Sequence, residues 1–125
     1  MKKVNLKEKV QTVLGLIEAN NLGVTLPHEH LFVDGRMWFI EPGESDEKEL
    51  AHQPVSLENL SWVRSNRMSN LDNMYLTNEE VAINEVMYFK KAKGNTIVDL
   101  TPNNSGRNPL ALVHIAQATG INVIM

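Results

Sequence analysis

The amino-acid sequence predicts an α/β fold built on a parallel sheet, because β-rich stretches alternate with helical stretches along most of its length. The β-rich stretches lie at 10–14, 23–33, 96–101 and 121–125. Stretches with apolar residues at helical spacing lie at 56–67, 77–93 and 108–119. Strands that alternate with helices in this way form βαβ units, so we expect parallel strands joined by right-handed crossovers.

The first two predicted strands differ in length and regularity. Residues 10–14, VQTVL, form a short strand that ends in a turn at Gly15. Residues 23–33, GVTLPHEHLFV, form the first substantial strand and contain Pro27. Proline has no backbone N–H to donate to a ladder, so we expect an edge, a bulge or an irregular end near Pro27.

Residues 41–73 differ in character from the stretches on either side. Their first half is acidic and rich in turn-forming residues, which predicts an exposed excursion. Their second half has apolar residues at near-helical spacing after Ser56, which is placed as the N-cap. We therefore predict a short helix from Ser56 to about Arg67.

The helix predicted over 77–93 carries signals at both ends. Thr77 followed three residues later by Glu80 is a capping box, which marks a helix N-terminus. Gly94 is placed for the C′ position, where glycine is favoured. We therefore expect Thr77 to cap this helix and Gly94 to end it.

The last helix and the strand after it close the sequence. Asn108 caps the helix, Pro109 takes the first helical position and Gly120 ends it. The strand at 121–125 then stands at the terminus without a covering helix, although parallel strands are usually buried on both faces. We therefore expect an incomplete domain.

Composition and charge narrow the class of protein. The chain has 125 residues, of which 42% are hydrophobic and 22% charged, as in one ordinary globular domain. A net charge of −3 argues against a nucleic-acid partner, and the lack of cysteine excludes disulfides and thiolate metal sites. Residues 1–17 lack a continuous apolar core, so we expect no signal peptide, no membrane span and a cytoplasmic location.

Two histidines stand two residues apart in the strand predicted over 23–33. On a strand, His28 and His30 point to the same face, roughly 7 Å apart along it, and can converge on one metal ion. Glu29 then points to the opposite face and is not expected to be a ligand. A His-x-His pair is a weak signal, and satisfied or exposed histidines are the simpler interpretation. Polar side chains inside an apolar strand need partners, which favours a metal, and both interpretations stay open.

Several motifs occur around this pair in a fixed order. They are VQTVLG at 10–15, LGVTLPHEHLF at 22–32, DNMYLTNEEVAINEVMYFKKAKGNTIVD at 72–99 and TIVDLTPNNSGRNPLALVHIAQATGINVIM at 96–125. Together they resemble the phosphotriesterase-related proteins of the amidohydrolase superfamily. The resemblance covers nearly the whole chain, and His-x-His, the strand-ending Val-Asp and the Gly-Arg before a helix make it specific.

The resemblance implies a (β/α)₈ TIM barrel with two divalent metals, usually zinc, at the C-terminal ends of its strands. By position His28 and His30 match the first-strand pair that binds one metal. A bridging carboxylated lysine, two more histidines and an aspartate come from later strands, beyond this chain. The resemblance also implies a hydroxide between the metals that attacks a phosphoryl or lactone centre. Since such a barrel needs roughly 250 residues, 1–125 is expected to be a single incomplete domain, the N-terminal part with about three strands.

Other polar and aromatic residues are also candidates for a functional site. Asp99 either orients a metal-bound histidine by accepting its hydrogen bond or accepts loop amides at the end of its strand, and neither interpretation is preferred. We expect Asp34 to order a loop, His52 to be exposed and His114 to be structural. The aromatic residues 38–39 either wall a substrate pocket or pack in the core.

The first functional hypothesis is a zinc-dependent hydrolase of the phosphotriesterase or lactonase type. Its substrate would be a small molecule with an ester-like bond, namely a lactone, a carboxyl ester or a phosphotriester, and the chain alone is expected to be truncated and inactive. The alternative is a non-catalytic truncated protein that acts by self-association, as a homo-oligomer, or by partner binding at an open sheet edge. A third hypothesis is zinc sequestration by a mononuclear His-x-His site.

Overall fold

The computed structural model describes residues 6–125, which contain seven strands and four α-helices. The strands are β1 (Lys9–Thr12), β2 (Gly15–Glu18), β3 (Thr25–Glu29), β4 (Val33–Asp34), β5 (Tyr75–Leu76), β6 (Thr96–Asp99) and β7 (Asn122–Ile124). The helices are α1 (Ser45–His52), α2 (Leu60–Ser65), α3 (Glu79–Lys91) and α4 (Pro109–Thr119). Part of the stretch predicted to carry no signal peptide, residues 1–5, lies outside the described residues. Among those described, no helix is both long and apolar enough to cross a bilayer.

The described residues fold into two compact units. The first combines the chain up to Leu31 with Asn78–Thr101 and Asn108–Met125, and the second combines Phe32–Thr77 with Pro102–Arg107. The first unit therefore contains β1, β2, β3, β6 and β7 with helices α3 and α4. The second unit contains β4, β5, α1 and α2.

A three-stranded parallel sheet in the order β3-β6-β7 forms the centre of the first unit. The register places Thr96 of β6 opposite Thr25 of β3 and opposite Asn122 of β7. Helix α3 precedes β6 in the chain, α4 joins β6 to β7, and the two helices contact one another. The predicted α/β fold with a parallel sheet is confirmed.

The core of the first unit consists of large apolar side chains from this sheet and from α3 and α4. The members that are almost completely buried are Val86, Ile97, Leu112, Ile115 and Val123. Burial of each such side chain is worth about 1.5–3 kcal/mol relative to leaving it exposed. β6 is the middle strand, so it is buried along almost its whole length, as parallel strands usually are.

β3 is irregular at Pro27, as predicted. Its register runs from Leu26 opposite Ile97 to Glu29 opposite Asp99, so three steps along β3 face two steps along β6. A bulge is tolerated here because proline has no N–H that the ladder could lose. The regular strand is consequently shorter than the predicted 23–33, and among the described strands β3 pairs only with β6.

Both predicted ends of α4 are confirmed. The Asn108 side chain accepts a hydrogen bond from Ala111 N at 3.1 Å, and Pro109 occupies the first helical position. Gly120 takes the left-handed conformation, with φ of 72°, that most favours glycine after a helix.

The predicted cap of α3 at Thr77 is wrong. The N-cap is Asn78, whose Oδ1 accepts a hydrogen bond from Val81 N at 3.0 Å. Asparagine caps a helix as well as threonine does, so two adjacent candidates compete and the second one is used. The helix therefore begins one residue later than the capping box predicts.

The predicted role of Gly94 at the C-terminus of α3 is also wrong. The left-handed residue after the helix is Lys93, with φ of 72°. Gly94 is needed for space instead, because a Cβ at this position would lie 2.2 Å from the Phe89 ring. The glycine thus lets the chain pass close to a helix side chain.

The strand predicted over 10–14 is half of a hairpin. β1 pairs antiparallel with β2, which begins at Gly15 with φ of 120° and which was not predicted. Beyond β1, Val13 N donates to Val123 O at 2.8 Å, which ties the hairpin to β7.

The second unit contains the segment predicted to be an exposed excursion. Most of 45–52 is exposed, as predicted, but the stretch forms helix α1, which was not predicted and which buries Ala51 completely. The buried amide of Asn70 stabilises its C-terminus by donating to Leu50 O and Gln53 O, both at 2.9 Å. A helical stretch with few apolar residues is hard to predict when its terminal carbonyls are satisfied by a residue far along the chain.

The helix predicted from Ser56 to about Arg67 is confirmed only over its middle part, as α2. Ser56 is not its cap, because Ser56 N donates to Asn59 Oδ1 at 2.8 Å in a turn before the helix. β4 and β5 pair antiparallel in the same unit, with Val33 opposite Leu76.

Candidate metal site at the ends of two parallel strands

His28 and His30 lie at the C-terminal end of β3. His28 is in the strand and His30 is the first residue after it, and both side chains are exposed. Their ring centroids are 5.4 Å apart, with an edge-to-face angle of 71°. Among the described strands β3 has one partner, β6. The imidazoles are close neighbours.

Glu29, between the two histidines, lies in a different environment. It is half-buried and lines a shallow cavity of about 240 Å³ together with Leu26, Val86 and Phe89. Val86 and Phe89 belong to α3, so Glu29 is directed at the helix that covers the sheet. This agrees with its exclusion as a metal ligand.

His30 has a specific polar partner. Its Nδ1 lies 3.1 Å from Oγ1 of Thr101, two residues beyond the end of β6. Thr101 is 1% exposed, so the hydroxyl approaches His30 from the interior of the unit. The His28 side chain, by contrast, has no hydrogen bond to any of residues 6–125, and its ring lies against the His30 ring. Thr101 was not identified from the sequence as a partner of His30. The signal that could have indicated it is a hydroxyl residue two positions after the aspartate that ends a strand.

Asp99 accepts two backbone hydrogen bonds. Leu31 N donates to its Oδ2 at 2.8 Å and Thr101 N donates to its Oδ1 at 2.9 Å. Its carboxylate is 1% exposed, and it makes no direct hydrogen bond to either histidine. The sequence left two interpretations of Asp99 open, and the observed contacts match the second, in which the carboxylate accepts loop amides. Through them Asp99 joins the residue after His30 to Thr101, the partner of His30.

The two imidazoles fit one metal ion as part of its ligand set. Two imidazoles that share a tetrahedral ion at bonds of about 2.0–2.1 Å place their centroids about 5 Å apart, close to the observed separation. Neutral imidazole nitrogen is a ligand that zinc favours. The described residues contain no cluster of three or more His, Asp or Glu able to hold an ion, so within residues 6–125 the pair stands without a third ligand of this kind.

The remaining histidines and aromatic residues have other surroundings. His114 Nδ1 lies 3.0 Å from Glu79 Oε1 and so joins α4 to α3, as its predicted structural role requires. His52 is exposed, as predicted, with Nε2 3.2 Å from Glu41 Oε1. Trp38 is 51% exposed, so core packing, one of its two predicted roles, is wrong for it.

Asp34 orders its own loop, as predicted. Arg36 donates to it from Nε at 2.8 Å and from Nη2 at 2.7 Å, and the Arg36 guanidinium also lies 4.1 Å from the centre of the Tyr75 ring. The hydrogen bonds from Arg36 lower the pKa of Asp34 below its usual value.

Comparisons with known proteins agree on one family. The family model described as the phosphotriesterase family matches residues 8–125. An N-acetyltaurine hydrolase from Dictyostelium discoideum is 35% identical over 94% of this chain and 37% of its own length. A resiniferatoxin-binding protein from Rhodobacter sphaeroides superposes with a TM-score of 0.92 at 40% identity, over 94% of this chain and 33% of that one. A mutant organophosphorus hydrolase from Deinococcus radiodurans superposes with a TM-score of 0.53 at 28% identity, over 93% of this chain and 27% of that one. This chain thus spans about a third of the length of such relatives.

Proposed function

Because the chain belongs to the phosphotriesterase family, we propose that it forms part of a zinc-dependent hydrolase in which His28 and His30 bind metal. The observation that carries the proposal is the separation of 5.4 Å between the two exposed imidazoles at the end of a parallel strand. Active sites of α/β barrels lie at this end of their strands. Within residues 6–125 the pair has no third His, Asp or Glu that could complete a metal site. Metal binding would explain why two exposed imidazoles lie so close together.

We place the chain at the N-terminal end of a (β/α)₈ barrel, as one incomplete domain over residues 1–125. Support comes from the parallel order β3-β6-β7 and from relatives about three times as long. β3 pairs on one side only among the described strands, as the first strand of such a barrel would before its last strand closes on it.

In this proposal His28 and His30 donate neutral nitrogen lone pairs to one of two zinc ions. The bound metal would supply Lewis acidity, which activates water and polarises the electrophilic oxygen of the substrate. The exposure of both rings leaves room for a small molecule to approach. Asp99 keeps the turn after His30 in place through Leu31 N, so the pair is presented on a rigid strand end.

The substrate proposed from the sequence is a small molecule with an ester-like bond, namely a lactone, a carboxyl ester or a phosphotriester. The name of the Dictyostelium relative favours a second candidate, the acyl–nitrogen bond of a small N-acyl amino acid analogue. Both candidates require a water nucleophile at an acyl or phosphoryl centre, so they place the same demands on the metal site.

Zinc titration tests the proposed ligands. We expect the wild-type chain to bind zinc and the His28→Ala/His30→Ala variant to lose that binding, measured by isothermal calorimetry. The matched control is His52→Ala/His114→Ala, which removes the other two histidines of the chain and should leave zinc binding unchanged. Equal binding by the wild type and the His28/His30 variant would exclude the pair as ligands.

An activity assay tests the proposed incompleteness. With zinc present, we expect residues 1–125 to show no appreciable turnover of a lactone, of N-acetyltaurine or of a paraoxon-like phosphotriester, because two imidazoles do not complete a two-metal site. The N-acetyltaurine hydrolase from Dictyostelium serves as the active control. Turnover by the isolated chain at a comparable rate would contradict this prediction.

A non-catalytic protein remains the alternative. The observation that favours it is the single pairing of β3 within the described residues, since an open strand edge can pair with another chain. Self-association in sedimentation, together with zinc binding that does not depend on the histidine pair, would support this alternative. A mononuclear zinc-sequestering site is favoured instead if the chain is inactive and monomeric and the pair binds one zinc ion and no second.

A further inference from the structure

The two histidines of the proposed metal site are held very differently. His30 Nδ1 lies 3.1 Å from the Thr101 hydroxyl, whereas the His28 side chain has no hydrogen bond to the described residues. The Thr101 hydroxyl belongs to a side chain that is 1% exposed, and His30 is exposed. One edge of the His30 ring is therefore fixed from inside, and the ring nitrogen that remains for a ligand is Nε2.

A neutral imidazole carries one proton, and its position decides which nitrogen can bind a metal. If Nδ1 carries the proton and donates it to Thr101 Oγ1, the lone pair lies on Nε2. If Thr101 donates to Nδ1 instead, Nε2 carries the proton and cannot bind. A hydroxyl can donate or accept a hydrogen bond, so the distance between the two atoms does not by itself tell which of them carries the proton.

The position of Thr101 is itself fixed. Thr101 N donates to Asp99 Oδ1 at 2.9 Å, and the other oxygen of the same carboxylate accepts from Leu31 N at 2.8 Å. Leu31 follows His30 directly. One buried carboxylate thus holds both the backbone that bears His30 and the backbone that bears its hydroxyl partner.

We infer that Thr101 is a positioning residue for the metal site: its hydroxyl accepts the Nδ1 proton of His30 and so leaves Nε2 free to bind zinc. Asp99 acts one step further away, by holding Thr101 and not by touching a histidine. The inference rests on the proposed zinc function, and it assigns His30 as the ligand fixed before metal arrives. His28 has no such acceptor among residues 6–125 and turns to the metal only on binding.

The proton position can be read in the metal-free chain by ¹⁵N NMR, at a pH where both imidazoles are neutral. We expect His30 to carry its proton on Nδ1, and His28 to show a mixture of the two tautomers in the same spectrum. A His30 proton on Nε2 in the wild type would overturn the inference, whatever the zinc affinity. This measurement needs neither metal nor substituted protein.

Substitution of Thr101 then tests whether the hydroxyl is the cause. Thr101→Val should give His30 mixed tautomers and weaken zinc binding about tenfold, the loss usual for a hydrogen-bond partner of a metal ligand. Thr101→Ser, which keeps the hydroxyl, should restore both properties. The matched control is Thr119→Val, because Thr119 is also 1% exposed and its hydroxyl donates to Ile115 O at 2.7 Å, within α4 and the turn after it.

The outcomes separate this inference from the proposed function. Wild-type tautomers and zinc affinity in Thr101→Val would overturn it, and so would an equal loss of affinity in Thr119→Val, which would mark a general loss of stability. If Thr101→Val does not fold, Thr101→Ser and the wild-type spectrum still decide the matter. Zinc binding that survives His28→Ala/His30→Ala would defeat the proposed function, while the tautomer of His30 would remain a separate result.

Discussion

Two aspartates each end a strand after three similar residues, and they differ in burial and in the partners that they bind. Asp34 ends β4 after LFV, and Asp99 ends β6 after TIV. The Asp34 side chain is 32% exposed and binds Arg36, two residues away. Asp99 is 1% exposed and accepts backbone amides, one of them 68 residues distant. A strand-ending aspartate therefore indicates a turn. When it is exposed it orders its own loop, and when it is buried it can also bind the backbone of a second, distant segment.

The energetic consequences of these two arrangements differ. Water screens the pair between Asp34 and Arg36, and exposed ion pairs contribute little to stability. The amides that Asp99 accepts are partly or fully removed from water, so each would be costly to leave without a partner. We therefore expect Asp99 to determine stability and Asp34 to act only locally.

The largest expected effect is that of Asp99→Ala. Loss of the carboxylate removes the acceptor to which Leu31 N and Thr101 N donate, which should lower the free energy of unfolding by about 2–4 kcal/mol. Asp99→Asn keeps one acceptor oxygen and should lose less. Urea denaturation measures both variants. An Asp99→Ala variant as stable as the wild type would remove the contrast between the two aspartates.

The smallest expected effect concerns the pH dependence of Asp34. Because Arg36 lowers its pKa, the pair contributes stability above the usual carboxyl pKa, and that contribution is lost as the pH falls through the lowered value. Arg36→Gln should raise the pKa of Asp34 towards its ordinary range, as followed by carboxyl NMR, and should leave stability near pH 7 almost unchanged. Arg67→Gln, at another exposed arginine, is the control. An unchanged Asp34 pKa in Arg36→Gln would show that the guanidinium is not the cause.

The features predicted correctly from the sequence depend on local chemistry. The caps of α4 need only Asn108, Pro109 and Gly120, each of which acts within one turn of its own position. The bulge in β3 follows from a missing N–H at Pro27. The parallel sheet follows from the alternation of strands and helices. Each of these signals can be read without knowing what lies across the fold.

The features predicted wrongly depend on partners that are distant or nearly equivalent. Thr77 and Asn78 are adjacent residues that can both cap a helix, and local preference does not separate them. α1 has its terminal carbonyls satisfied by Asn70, 17–20 residues further along the chain. Gly94 is explained by the space that Phe89 occupies, not by its backbone conformation.

The candidate site was predictable in part for the same reason. The spacing of His28 and His30 identifies the pair, because side chains two residues apart on a strand point to the same face. Their exposure was one of the alternatives left open, since it depends on which strands pair with β3. Thr101 was not foreseen, because its partner His30 lies 71 positions earlier.

The bonds that organise the histidine pair have a consequence for how the chain folds. They join residues 68 and 71 positions apart, whereas the β1–β2 hairpin closes between Lys9 and Glu18. Closing a long loop costs more conformational entropy than closing a short one, and contacts between distant residues slow folding. A newly synthesised chain therefore possesses both imidazoles well before β6 docks against β3, and only that docking completes the proposed site around them.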